Sequence, residues 1–166
     1  MLHPDIKARK NSIEGRGLFA VRKIPKGTIV WKLGKTDRIY TQAQVKSFSE
    51  RYKKILKHYG YFYQGRIVYL VDDSKYFNHS CDANVVPFGE MDIAMRDIMP
   101  GDEVTYDYGF LMDGSVGEKM QCHCGSKKCR VTIVAFKNNS AIAKKLEDEG
   151  RKAGKLRRRQ KIAIDS

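Results

Sequence analysis

Apolar positions along this chain fall into short runs with two different periods. From Gly17 to Gly34, in GLFAVRKIPKGTIVWKLG, β-branched and aromatic residues flank a Pro25-Lys26-Gly27 turn, which predicts two short strands joined as a hairpin. The period then lengthens. In TQAQVKSFSERYKKILKHYG, Val45, Phe48, Tyr52, Ile55, Leu56 and Tyr59 recur at helical spacing behind a Thr41 to Gln44 capping box, with Gly60 as the stop. One amphipathic helix over about 41–59 is expected. Strand composition returns over 61–71, and two or three more short strands are expected from Val85 to Tyr108, around Gly89 and Pro100-Gly101. Residues 139–149 read as a second helix ending at Gly150. Short strands broken by turns dominate, so the fold class is mainly β with peripheral helices.

Size and charge narrow the reading. At 166 residues the chain fits one domain, which buries about two-thirds of the surface its unfolded form exposes. It has no run of 18 apolar residues, and MLHPDIKARK lacks the apolar centre of a signal peptide. The expectation is a soluble intracellular protein with reduced cysteines and no membrane partner. Net charge is +13, yet residues 72–118 hold eleven acidic and two basic side chains, a local −9 that leaves +22 elsewhere. Such an acidic block suggests a face for a positively charged partner. The basic excess peaks in the tail, where Arg151, Lys152, Lys155, Arg157, Arg158, Arg159 and Lys161 suit a nucleic-acid backbone or simply a solvated terminus.

The chain has four cysteines, Cys81, Cys122, Cys124 and Cys129, and the last three form C-x-C-x4-C within QCHCGSKKCR. Four thiolates complete a tetrahedral zinc shell. Such an ion would be structural, clamping 122–129 against the segment that follows Asn78-His79. The alternative is four free or disulfide-paired thiols. His123 lies between two cysteines but finds no vacancy in a four-cysteine shell.

Taken in order, EGRGLFA, FNHSCDAN, GDEVTYDYG and CHCGSKKC resemble the SET-domain protein lysine methyltransferases that carry a post-SET zinc module. Two features depart from the pattern: Ala83 stands where the family usually has proline, and the spacing from Asp72-Asp73 to Asn78 is shorter than in many chromatin members. The resemblance implies a SET fold of small sheets in which the NHSC and TYDYG segments thread as a pseudoknot. It divides the chain into a SET domain over 1–118 with its helical insert, a post-SET zinc module over 119–132 and a C-terminal helix with basic tail over 133–166. It implies S-adenosyl-L-methionine as methyl donor, one structural zinc, and a basic protein tail, histone or ribosomal-protein-like, as substrate. It assigns Tyr108 and Tyr106 to the methyl-transfer centre. Gly15, Arg16, Gly17, Leu18, Asn78, His79 and Tyr108 would hold the cofactor. Tyr61, Tyr63 and Tyr69 are candidates for the lysine channel. The tyrosine hydroxyl at position 106 favours a mono-methylated product by taking space that further methyl groups need.

Two other functions compete with the enzyme. One is a non-catalytic SET-like module binding basic peptides or nucleic acid; the other, ranked last, is a small DNA-binding zinc protein, since no helix offers a reading surface. Localisation follows the partner: nuclear in a eukaryote, otherwise cytoplasmic or a delivered effector.

Overall fold

The structure is a computed structural model describing residues 1–11, 15–63, 65–112 and 119–136, with 144, 145, 148, 149, 151 and 152. In chain order the elements are β1 (Ile6–Asn11), β2 (Gly15–Ala20), β3 (Ile29–Lys32), β4 (Arg38–Thr41), α1 (Gln42–Lys46), α2 (Glu50–Tyr59), β5 (Gly60–Tyr63) and β6 (Arg66–Tyr69). They continue with β7 (Asn78–His79), β8 (Val85–Phe88), β9 (Met91–Ala94), β10 (Thr105–Tyr106), β11 (Lys119–Gln121) and β12 (Thr132–Val134). The strands form small separate sheets: β1-β2, β3-β9-β8, β4-β6-β5, β7-β10 and β11-β12. This is the mainly β architecture with few helices expected from the short apolar runs.

Three local expectations are revised. The Pro25-Lys26-Gly27 turn forms, with Thr28 N–H donating to the Pro25 carbonyl at 3.1 Å and Gly27 at φ +80°. Its flanking strands do not pair with each other, however: β2 pairs with β1 and β3 with β9. Turn chemistry is local, whereas partner choice is decided by which apolar faces meet in the core. β1 itself, IKARKN, is too polar to stand out in the sequence. The single helix over 41–59 is two. The Thr41–Gln44 capping box starts α1, but Ser47 caps its end, its hydroxyl bonding the Gln44 carbonyl at 2.8 Å, and Ser49 restarts α2 by accepting from Tyr52 N–H at 3.3 Å. Two serines close together offer the backbone local partners that compete with a continuous helix. Gly60 does end α2; a Cβ there would meet the Leu56 carbonyl oxygen at 2.5 Å. Of the helix expected over 139–149, only 144, 145, 148 and 149 are described, all helical; the tail beyond 152 lies outside the described residues.

The main core gathers Leu18, Ala20, Ile24, Val30, Val85, Ile98 and Val104, all fully buried, from both sides of the β2 and β9 ladders. Ile24 and Ile98 exchange backbone hydrogen bonds at 2.9 Å, tying the segment before β3 to the one after β9. A second cluster of Trp31, Val68 and Leu70 packs with Tyr61, Tyr63 and Phe77 and forms a wall of the site. Most of the described acidic side chains of 72–112 bond within the chain while keeping contact with solvent, and only Asp92 and Asp107 are buried. Asp72, Asp82, Asp97, Asp102, Glu103 and Asp107 all accept hydrogen bonds from within the chain, and Asp92 is buried. Among the described residues, no helix is long and apolar enough to cross a membrane.

Candidate active site and metal centre

Two motif segments far apart in sequence meet at the centre of the molecule. β7 and β10 form a parallel ladder with Asn78 opposite Thr105 and His79 opposite Tyr106, and Ser80 N–H extends it to the Tyr106 carbonyl at 3.0 Å. Asn84 splints the pairing, accepting from Thr105 N–H at 2.9 Å and donating to the Glu103 carbonyl at 2.8 Å. An amide does this because it carries donor and acceptor together.

On one side of the ladder lies the glycine-bearing strand β2. Asn78 donates both amide hydrogens, to the Arg16 carbonyl and to Glu103 Oε1, each at 2.8 Å. A Cβ on Gly17 would sit 2.9 Å from Asn78 Nδ2 and collide with Glu103, so glycine is required for the close approach. Gly15 and Arg16 are exposed, with Gly15 at φ +80°. The Arg16 guanidinium lies over the Tyr76 ring at 5.2 Å and donates to its hydroxyl at 3.2 Å. Leu18 is fully buried and its carbonyl accepts from Val104 N–H at 2.7 Å. The structure therefore brings Gly15, Arg16, Gly17 and Asn78 together and packs the Leu18 side chain into the core.

On the other side opens an apolar cavity of about 580 Å³ whose lining includes Trp31, Tyr61, Tyr63, Phe77, Tyr106 and Tyr108. The Tyr108 hydroxyl donates to the Phe77 carbonyl at 2.6 Å, which fixes the direction of its oxygen. Tyr106 is 6% exposed, its ring edge-on to Phe77 and Phe110, and burial followed by the nearby Asp92 charge pushes its pKa well above the ordinary tyrosine value. Tyr69 does not join this wall. Val68 and Leu70 face the cavity, and strand alternation sends Tyr69 to the opposite side, where its ring meets Tyr52.

The four cysteines also converge. Cys81 Sγ lies 3.7 Å from Cys122 Sγ, Cys129 Sγ lies 3.6 Å from Cys122 Sγ, and all four are free of disulfides. With zinc–sulfur bonds of about 2.3 Å, a tetrahedral shell has edges of about 3.8 Å, so this spacing fits a metal. Cys124 joins the cluster with Cys81, Cys122 and the His79 ring, their ligand atoms all within 4.8 Å of one another. His79 Nδ1 accepts from Tyr108 N–H at 3.1 Å, which leaves the proton of the neutral ring on Nε2, 3.2 Å from Cys81 Sγ. The ring is thus set to donate to a thiolate, and burial, assisted by Arg130 and opposed by Asp107, lowers its pKa and favours the neutral form. Burial pushes the Cys122 thiol up to about 12. Burial acts the same way on Cys124, but the N–H groups of Cys81 and Ser126 and the neighbouring Cys122 and Cys129 thiols outweigh it and bring Cys124 down to about 7. His123 is exposed in the same loop.

Sequence reasoning missed the contacts that dock this loop. Arg130 Nη2 donates to Asp107 Oδ1 at 2.6 Å, and the Arg130 backbone N–H reaches Cys81 Sγ at 3.3 Å. Phe136 N–H donates to the Gly109 carbonyl at 2.7 Å while its ring packs edge-on against Phe110 at 4.8 Å. A Cβ on Gly109 would come within 2.9 Å of that ring. The aspartate inside TYDY was a visible signal, since a buried carboxylate calls for a cation.

Comparisons with known proteins agree with this geometry. The SET domain profile matches residues 15–109. The chain is 29% identical over 146 residues to histone-lysine N-methyltransferase 2B of Homo sapiens, spanning 73% of this chain and 5% of that protein. It is 32% identical over 149 residues to histone-lysine N-methyltransferase set1 of Dictyostelium discoideum, spanning 77% of this chain and 9% of that one. The chain thus spans under a tenth of the length of these curated relatives. Among solved structures, KRYPTONITE in complex with mCHG DNA and SAH superposes with a TM-score of 0.59 at 20% identity, covering 80% of this chain and 29% of that one. With the profile spanning both segments of the central ladder and the same fold recurring in a solved structure, this chain belongs to the SET-domain family.

Proposed function

We propose that this chain is an S-adenosylmethionine-dependent protein-lysine N-methyltransferase acting on a basic protein tail, histone-like in character, with one structural zinc held by Cys81, Cys122, Cys124 and Cys129. The observation that carries the reading is the β7–β10 ladder. It seats Asn78 beside the Gly15–Gly17 strand on one side and Tyr106 and Tyr108 at the aromatic cavity on the other. When bound, the cofactor supplies an electrophilic methyl group on a sulfonium. The chain's own residues supply binding and alignment. Main-chain groups of Gly15 to Gly17 and the Asn78 oxygen form the polar end of the cofactor site, and the His79 backbone flanks its base.

For transfer, the target nitrogen must be uncharged and in line with the carbon–sulfur bond. Deprotonating a lysine at neutral pH costs about 4–5 kcal/mol in water. An apolar channel lined by Tyr61, Tyr63 and Tyr106 removes solvent from the ammonium and lowers that cost. Tyr108, its hydroxyl proton committed to the Phe77 carbonyl, offers oxygen lone pairs to orient the amine. Near-attack alignment of this kind contributes up to about 7–11 kcal/mol. The KRYPTONITE complex with SAH and the histone-lysine methyltransferase names of the relatives support the same reading. Residues 1–118, 119–132 and 133–166 serve as SET domain, zinc module and basic extension; the extension is a further contact for nucleic acid.

The test is transfer of label from S-adenosylmethionine to a panel of basic proteins, wild type against Tyr108→Phe, with cofactor affinity measured by calorimetry. Transfer by the wild type, reduced about 100-fold or more in Tyr108→Phe at unchanged cofactor affinity, is the expected result. A wild type that binds no cofactor supports the non-catalytic module instead.

A further inference from the structure

One wall of the aromatic cavity carries a buried indole N–H without an acceptor and a carboxyl that accepts no hydrogen bond from the described residues. Asp92 on β9 is 8% exposed, lines the cavity, and makes no hydrogen bond or ion pair among the described residues. Trp31, its partner across the β3–β9 ladder, is 5% exposed, and its indole N–H is buried without an acceptor. Their neighbours are apolar or aromatic: Val68, Leu70, Tyr61, Tyr63 and Phe77. For the empty fold a lone carboxyl here is the wrong residue, because strand alternation and the surrounding cluster call for an apolar side chain. Natural chains keep such a group where it meets a ligand.

The charges around the cavity say which ligand. Lys57 and His58 from α2, Lys75, and Lys119 from β11 all line it, with Glu90 exposed at the start of the β9 hairpin. The Tyr61 and Tyr106 hydroxyls feel the Asp92 charge, and the N-terminal ammonium acts on Asp92, opposing the effect of its burial. The positive groups are exposed or half-exposed, whereas Asp92 is the buried acidic group of the lining. An anion would have to meet it, and a neutral side chain would leave it unpaired.

We propose that Asp92 is the group that recognises the positively charged target nitrogen: an alkylammonium side chain enters between the tyrosine rings and donates its N–H bonds to the Asp92 carboxylate. This rests on the aromatic cavity being the lysine channel, as in the function proposed above, and adds the residue that selects charge within it. Capture as a cation is compatible with transfer to an uncharged amine. Burial strengthens the hold of the carboxyl on a proton and weakens that of the ammonium, so the proton passes from the ammonium to the Asp92 carboxylate, leaving an uncharged amine beside a neutral acid.

Trp31 is the only tryptophan in the chain, and its emission reports occupancy of the cavity directly. The probes are n-butylammonium and its neutral counterpart n-butanol, titrated into wild type, Asp92→Asn and Asp92→Glu. The expected result is a saturable response to n-butylammonium, weakened at least tenfold in Asp92→Asn and partly recovered in Asp92→Glu, with n-butanol indifferent to the substitution. With a lysine peptide, Asp92→Asn is expected to raise KM at least tenfold while kcat moves less.

Stability gives a second readout. Burial without a partner raises the carboxyl's pKa when folded, so the native state pays a penalty that grows as pH rises above the unfolded value of about 4. Asp92→Asn is therefore expected to melt higher than wild type at pH 7, the gain vanishing below about pH 4. An Asp92→Asn protein with unchanged n-butylammonium affinity and KM overturns the proposal, as does one that melts lower at pH 7, which marks a structural role. A wild type that binds no S-adenosylmethionine refutes the proposed function instead, and the n-butylammonium titration still decides Asp92.

Discussion

The Tyr106 hydroxyl adds bulk to the lining of the aromatic cavity that a phenyl ring would lack, and the ring is held edge-on by Phe77 and Phe110. Tyr106→Phe is expected to shift the product from mono-methyl toward higher methylation, read as the distribution of mass increments on the substrate peptide. Gly17 carries a different constraint. A methyl group there meets Asn78 Nδ2 and Glu103, both already bonded to neighbours, so Gly17→Ala should cost about 1–3 kcal/mol and weaken cofactor binding together, measured by denaturant melts and calorimetry. Both tyrosines of the motif and the glycines were legible in the sequence. Asp92, Arg130 and Phe136 were not, because their meaning depends on neighbours that are remote along the chain: Trp31 for the first, Asp107 for the second, Gly109 for the third.

At the scale of elements, the most sheltered ion pair docking the cysteine loop is Arg130–Asp107, alongside the exposed Lys128–Asp82 pair. Asp107 is 5% exposed as a side chain and Arg130 26%, so the pair is largely sheltered. Arg130→Ala strands a buried carboxylate and should destabilise by about 3 kcal/mol, the low end for breaking a buried pair because the arginine keeps some water. The loss should be visible as faster hydrogen exchange confined first to β11, β12 and the loop between them. Capping in the insert behaved as the sequence implied at Thr41, Gln44 and Gly60. The break at Ser47–Ser49 did not show in the apolar spacing, since Val45, Phe48 and Tyr52 keep helical intervals across it, and Phe48 and Tyr52 still pack against Tyr40. Periodicity records which faces are apolar; it does not record whether the backbone between them stays helical.

For the whole molecule, the cysteine cluster links the loop that carries Cys122, Cys124 and Cys129 to the central ladder through Cys81 and His79. Cys122→Ser is expected to lower zinc content by elemental analysis and to weaken the packing reported by near-ultraviolet dichroism, with a milder version on adding a strong chelator to wild type. Acid acts elsewhere. Despite partial burial, which opposes it, the Ser74 hydroxyl and N–H and the Leu2 N–H hold the Asp72 carboxyl below its usual range, so its contribution is intact above about pH 4 and is lost as pH falls through the lowered value. Melting temperature should fall with acid in that window, and less so in Asp72→Asn. By itself the sequence determined the class of fold, the capping of the insert and the motif residues, because turn chemistry, apolar period and cysteine spacing are local properties of the chain. Only tertiary structure decided that β2 and β3 part into different sheets, that of the described acidic side chains in 72–112 only Asp92 and Asp107 are buried, that Tyr69 turns away from the aromatic cavity and that Asp92 lines it. Those outcomes follow from which faces are buried against each other, and burial is a property of the assembled molecule.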